Sequence, residues 1–149
     1  MPFSTQRFVL LVEDELIVTH IFERVFENQS YALLDTATTR EAALAKIQFA
    51  VYDFIFLDMA LDRVRYAGME VLRALARLKI KLREQGQKTL DSRVVIMSGS
   101  VSLDDIMLEA NALGVLHFID KPVNFTEAYI LDIVQQLGLP LLPRKTAET

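Results

Sequence analysis

Three short apolar runs in this chain each end on residues able to do chemistry. Val9-Leu10-Leu11-Val12 runs into Glu13-Asp14, Phe54-Ile55-Phe56-Leu57 into Asp58, and Val94-Val95-Ile96-Met97 into Ser98. A fourth run, Val115 to Ile119, stops just short of Lys121-Pro122. Carboxylates gathered in one place repel: two unit charges about 4 Å apart cost roughly 1 kcal/mol in water and about 4 kcal/mol at an effective dielectric near 20. Such a cluster is stable only with a cation. The chain has no Cys, and no His stands near these acids, so oxygen ligands suit Mg²⁺ or Mn²⁺ rather than zinc. An ammonium from Lys121 and a hydroxyl from Ser98 would complete a constellation for phosphoryl transfer to an aspartate. The product adds about −1.5 to −2 charges beside existing acids; metal and lysine would neutralise it while Ser98 donates to a phosphoryl oxygen. Taken singly, Glu13 and Glu15 read as helix-start acids favoured by the dipole, Lys121 as a surface lysine and Ser98 as a loop serine. Their weight comes from the elements that must bring them together.

Apolar runs of this length with β-branched residues, bounded by polar punctuation, read as buried parallel strands. Between them the period changes to helical. Leu16, Ile17, His20, Ile21, Val25 and Phe26 predict a helix from about Glu15 to Asn28, and Tyr31 to Thr36 a second strand. Thr38 with Glu41 predicts a capping box for a helix that turns Ala42, Ala43, Leu44 and Ile47 inward. After Asp58 a loop runs to Gly68; from Met69 a helix carries Val71, Leu72, Leu75, Leu78 and Leu82 on one face until Gln85-Gly86-Gln87 stops it. A strand over Arg93 to Met97 is followed by a Ser98-Gly99-Ser100 turn. Ser102 is expected to cap the next helix, with Asp104 and Asp105 in its first turn and Gly114 ending it. Val115 to Ile119 reads as the last strand, and Asn124 with Glu127 at its third position as the start of the last helix. Five strand–helix units in strict alternation argue a doubly wound α/β fold, a five-stranded parallel sheet in flavodoxin-like order 2-1-3-4-5 with helices on both faces. In such a sheet the ligand crevice lies outside the carboxyl ends of the strands, where Glu13, Asp14, Asp58, Ser98 and Lys121 would converge.

At 149 residues the chain is long enough for one domain with a proper core and too short for two comfortable ones. A 52% hydrophobic and 24% charged composition fits an ordinary globular protein. No apolar stretch approaches membrane-spanning length and the N-terminus lacks a secretory layout, so a cytoplasmic location is expected. The net charge of −4 hides an asymmetry: nine of the sixteen basic residues lie between Arg63 and Arg93, against Glu70, Glu84 and Asp91 as the acids there. No aromatic residues interleave those basics after Tyr66, so the segment reads as a solvated helix face and charged loop, not a nucleic-acid surface.

The segments VLLVEDE, FIFLD, VVIMSGS and HFIDKP resemble, in order, spacing and placement after strands, the receiver domain of two-component response regulators. The likeness runs from about Phe8 to Leu137, which implies a receiver domain over residues 1–137 and a tail or truncated linker over 138–149. The resemblance implies that Asp58 is the phosphoacceptor. Glu13 and Asp14 would be the acidic pair, with Asp14 the direct metal ligand beside Asp58 and the Ala60 backbone carbonyl. Ser98 and Lys121 would bind the phosphoryl group, Ser98 and Phe118 would form the switch, and the Lys121–Pro122 bond would be cis, which proline alone permits cheaply. It further implies Mg²⁺ (Mn²⁺ in its place), a histidine kinase or phosphotransfer protein as donor, and a downstream protein as target. The responding face would be that of the fourth helix, fifth strand and fifth helix (102–113, 115–119 and 125–137), and a phosphorylation-dependent homodimer is allowed. Two departures stand out: the family's proline four residues after the acceptor is here Asp62, and its glycine eight after is Gly68, ten after. The loop is thus longer by two, and the stretch from Lys79 to Ser92 also looks extended.

Three classes compete on these residues. A receiver that catalyses only its own phosphorylation and dephosphorylation, and is otherwise no enzyme, uses all the convergent groups. A phosphorylation-independent interaction module on the same fold would not need them. An aspartate-nucleophile phosphatase wants a second Asp two residues beyond the nucleophile, where this chain has Ala60; a flavin site wants a phosphate loop where Glu13-Asp14-Glu15 would repel phosphate. His20 and His117 read as packed or surface residues, and the methionines as core filling.

Overall fold

The computed structural model describes residues 7–27, 29, 32–61, 63–86, 92–99, 104–122 and 124–139. Ten elements alternate along the chain: β1 (Arg7–Val12), α1 (Leu16–Phe26), β2 (Ala32–Ala37), α2 (Arg40–Phe49), β3 (Phe54–Asp58), α3 (Ala67–Glu84), β4 (Arg93–Ser98), α4 (Met107–Ala112), β5 (His117–Asp120) and α5 (Glu127–Gln136). The five strands form one sheet in the order β2-β1-β3-β4-β5, every pair parallel. The fold class and strand order expected from the alternation are those of the structure.

The uninterrupted apolar runs follow from burial on both faces. Successive strand side chains point to opposite sides. Leu10, Val12, Ile55, Leu57, Val94 and Ile96 therefore pack with residues of α2, α3 and α4, such as Ile47, Leu72 and Ala110. Their neighbours Val9, Leu11, Phe54, Phe56, Val95 and Met97 pack with α1 and α5 through Phe22, Phe26, Ile130 and Val134. Phe22 anchors the second layer, its ring 5.2 Å from Phe56 edge-on and 6.2 Å from Phe125. Such aromatic pairs add about 0.5–1.5 kcal/mol beyond the area they bury.

Local boundaries depart from the sequence reading in instructive ways. In α1 the buried stripe is Val18, Phe22, Val25 and Phe26, whereas Leu16 and Ile17 are exposed. Val25 and Phe26 face inward as the period predicts, with Ile21 packed on the same layer. The helix start is apolar on more than one side, so periodicity there does not separate Leu16 and Ile17 from Val18. Thr39, not Thr38, caps α2: β2 runs on to Ala37, and the Thr39 side chain accepts from the Ala42 N–H at 3.0 Å. Thr126, not Asn124, caps α5 by accepting from the Tyr129 N–H at 3.1 Å, which moves Glu127 into the first position. The expected cap Ser102 lies outside the described residues, as do Tyr31 and Gln87. Helix α3 begins at Ala67 rather than Met69, β4 takes in Ser98, and β5 spans His117–Asp120 rather than 115–119.

The longer loop after Asp58 closes on itself. Leu61 and Val64 exchange both backbone hydrogen bonds, at 3.2 and 2.7 Å, with Arg63 at φ 63° in the left-handed region. The detour delivers Gly68 to the base of β3, where its N–H donates to the Met59 carbonyl at 2.9 Å. A Cβ there would lie 2.5 Å from the Asp58 carbonyl oxygen and 3.0 Å from the Met59 Cα. Both are rigid backbone atoms, so only glycine lets α3 seat against the end of β3. Gly68→Ala is expected to lower stability by about 1–3 kcal/mol, the usual cost of forcing a methyl into a packed site. Urea unfolding checks it, and a loss under about 0.5 kcal/mol, the scale of an ordinary surface change, would mean that the approach is not close.

Candidate functional site

Each chemically able side chain sits where a strand ends. Glu13 follows β1, its backbone N–H donating to the Ala37 carbonyl at 3.0 Å, so the β1–β2 ladder carries one residue past the strand. Asp58 is the last residue of β3 and Ser98 the last of β4. Lys121 follows β5, and its N–H donates to the Ser98 carbonyl at 2.7 Å. Parallel pairing thus brings four distant pieces of chain to one edge.

The side chains meet there. Carboxylate oxygens of Glu13, Asp14 and Asp58 lie within 4.8 Å of one another. Glu13 and Asp58 are buried, at 1% and 4% exposure, while Asp14 reaches solvent. The Lys121 ammonium lies 2.6 Å from Glu13 Oε1, 3.0 Å from Asp58 Oδ2 and 3.1 Å from Glu15 Oε1. The other Asp58 oxygen accepts from the Ala60 N–H at 3.3 Å. Ser98 is buried beside this edge, and Phe118 is half-buried, packed on the layer of α2, α3 and α4. A cleft of about 770 Å³ opens beside Lys121, lined in part by Glu15, Gly99, Pro122 and Phe125.

The Lys121 ammonium does not offset the burial of Glu13. Burial, and then the neighbouring Asp58 carboxylate, pushes Glu13 up to about 8, with Lys121 pulling the other way without overcoming them. Burial opposes the charge on Lys121 as well, but Glu13 and Asp58 outweigh it and hold the ammonium well above the usual lysine range. Glu13 Oε2 accepts from the Glu15 N–H at 3.1 Å. Its Oε1, though close to the Lys121 nitrogen, is off the direction of a hydrogen bond and is buried without a donor. Three carboxylates within reach of one ion, two of them buried, fit a hard divalent cation, which takes carboxylate oxygens and keeps other positions for water and phosphate.

Not every expectation holds. No peptide bond among the described residues is cis, so Lys121–Pro122 is trans where the resemblance implies cis. The trans form is the ordinary preference of an X–Pro bond by about 0.5–1 kcal/mol, and Lys121 reaches both carboxylates from it. Asp62 lies outside the described residues. His20 and His117 are both exposed. Sequence reasoning missed Glu15 as a partner of Lys121; the three consecutive acids Glu13-Asp14-Glu15 were the only available signal.

With fold and geometry in hand, comparison places the chain. A family model described as the response regulator receiver domain matches residues 9–131. The chain is a member of that family, and so a receiver domain of two-component signalling. Similar solved structures include the receiver domain of NtrX from Brucella abortus, 27% identical, covering 88% of this chain and 97% of that one with a TM-score of 0.59. The signal receiver domain of a putative Luxo repressor protein from Vibrio parahaemolyticus is 22% identical over 90% of each chain, with a TM-score of 0.63. The Mn²⁺-bound form of the response regulator Rcp1 is 19% identical, covering 94% and 99%, with a TM-score of 0.66. No curated protein matches the chain.

The raised Glu13 value carries a sign. Between the ordinary 4.5 and about 8 the folded state holds more protons than the unfolded one, so metal-free stability falls as pH rises through that window. Asp35 acts oppositely: burial opposes its charge, but hydrogen bonds from Lys46 and Tyr52 hold it below its usual range. Its contribution is present above the ordinary carboxylate value and is lost only as pH drops through the lowered one. A divalent cation binding carboxylate Glu13 should therefore raise Tm more at pH 8 than at pH 5.5. Thermal unfolding with Mg²⁺ or a chelator reads this; equal shifts at both pH values would remove Glu13 from the ion's neighbourhood.

Proposed function

We propose that this receiver takes a phosphoryl group on Asp58 from a histidine kinase or phosphotransfer protein. The observation that carries the reading is the Lys121 ammonium 3.0 Å from Asp58 Oδ2 beside three clustered carboxylates. Asp14, Asp58, Glu13 and the Ala60 carbonyl would hold Mg²⁺, or Mn²⁺ in its place. When bound, the ion offsets charge that builds on the transferring oxygens. The chain's own groups do the rest. The Asp58 carboxylate is the nucleophile, and the Ala60 N–H and Lys121 fix its two oxygens. Lys121, already an ammonium, needs no proton to pair with the incoming group, and the Ser98 hydroxyl donates to a phosphoryl oxygen.

The added charge biases a two-state element. Ser98 and Phe118 are the proposed switch, and their motion would be read on the face of α4, β5 and α5. Leu108 of α4 is exposed, as is Leu116 just before β5, which supports a docking role for a downstream protein or a second copy of the chain. The receiver would span residues 1–137, with 138–149 as tail or linker. No described helix is long and apolar enough to cross a membrane, which fits the proposed cytoplasmic setting.

Incubation with acetyl phosphate and Mg²⁺, followed by intact-mass measurement, should give a single phosphoryl adduct that Asp58→Asn abolishes while the fold survives. No adduct on the wild type would favour a phosphorylation-independent module; an adduct on Asp58→Asn would move the acceptor. Lys121→Ala should still bind Mg²⁺ but lose the Phe118 response to phosphorylation in NMR spectra, and a normal response would remove Lys121 from that role.

A further inference from the structure

Three carboxylates touch the Lys121 ammonium, and they differ in one respect. The side chains of Glu13 and Asp58 are 0% and 5% exposed, whereas that of Glu15 is 60% exposed. Glu15 therefore meets the ammonium from the solvent side. It also lines, together with Lys121, the cleft of about 770 Å³ beside the site. Its side chain is not spent on capping the helix it precedes. Glu15 occupies the N-cap position of α1, but its side chain makes no capping hydrogen bond. Its carbonyl does the helix's work, accepting from the Thr19 N–H and hydroxyl at 3.1 and 3.2 Å. Nor does it belong to the group of carboxylates close enough to share an ion, which is Glu13, Asp14 and Asp58.

We propose that Glu15 is an anionic gate: its carboxylate holds the outward side of the Lys121 ammonium and slows the approach of negatively charged phosphodonors. The inference rests on Asp58 being the acceptor. In the step it regulates, the P–O bond between phosphorus and the acetyl oxygen of acetyl phosphate breaks, acetate leaves, and an Asp58 carboxylate oxygen bonds to phosphorus. With phosphoramidate the P–N bond breaks instead and the nitrogen leaves protonated, as ammonia. Before either transfer, Lys121 must turn from Glu15 toward a phosphoryl oxygen, and the donor must pass a fixed negative charge. In water, one unit charge about 6 Å away disfavours a monoanion about threefold and a dianion about tenfold.

The test is the initial rate of adduct formation on the intact chain with Mg²⁺, for wild type, Glu15→Gln and Glu15→Asp, using dianionic acetyl phosphate and monoanionic phosphoramidate. Glu15→Gln should be about tenfold faster than wild type with acetyl phosphate and about threefold faster with phosphoramidate at low ionic strength. The two factors should converge toward one in high salt, and Glu15→Asp should stay slow. Calorimetric Mg²⁺ affinity in Glu15→Gln should fall only by the long-range factor one charge gives a dication, about tenfold at low ionic strength, and should match wild type in high salt. The rates are therefore compared at saturating Mg²⁺. Equal rates for wild type and Glu15→Gln, or an acceleration blind to donor charge, would overturn the gate. A loss of Mg²⁺ affinity in Glu15→Gln that persists in high salt would make Glu15 an ion ligand and overturn it too. Wild-type protein that forms no adduct with either donor would instead sink the acceptor reading, and the gate with it.

Discussion

The structure is organised around one imbalance of charge. The Lys121 ammonium stands against the buried carboxylates of Glu13 and Asp58, with Asp14 and Glu15 at the rim. Removing charges from water costs several kcal/mol per ion, and pairing repays it only when every charge finds a partner. Here Glu13 and Asp58 share one ammonium, at 2.6 and 3.0 Å, and burial still pushes Glu13 up to about 8. Two things would relieve the imbalance, a proton on Glu13 or a cation among the carboxylates. The proposed phosphoryl group on Asp58 would change that balance again, and Lys121 and its neighbours would feel it.

Holding such a cluster requires a rigid frame. Five parallel strands end at one edge, and each is clamped between two apolar layers. Neither layer carries the site; both keep its backbone from relaxing away from the repulsion. Gly68 adds the closest constraint, seating α3 directly on the Asp58 carbonyl. The rest of the frame is not uniformly firm. Helix α4 is only six residues long and buries Ala110 alone among them. It is tied to α3 by the exposed bidentate fork between Arg73 and Glu109, at 2.6 and 2.7 Å, a geometry stronger than most surface pairs but weakened by salt. An element with few buried contacts is where a two-state change costs least.

Much of this was legible in the sequence. The apolar runs of β1, β3 and β4, each ending on an acid or hydroxyl, are long and two-sided enough that only a buried parallel sheet accommodates them. That sheet in turn specified where Glu13, Asp58, Ser98 and Lys121 must gather. The misreadings fall where neighbours compete for one role. Thr38 and Thr39 are chemically alike, and only the length of β2 decides which of them caps α2. The first turn of α1 is apolar on several sides, so Leu16 and Ile17 could not be told from the inward stripe of Val18 and Phe22.

What the chain determined alone was therefore its alternation of periods, and with it the fold, the strand order and the membership of the polar edge. Local sequence can do this because each strand's burial is written in its own residues. Tertiary structure alone decided the distances. These are the meeting of Lys121 with Glu15, the burial of Glu13 beside Asp58, the trans bond before Pro122 and the approach of Gly68 to Asp58. Contacts between segments a hundred residues apart depend on how two packed layers set the strand ends against one another, and no window of sequence contains that geometry.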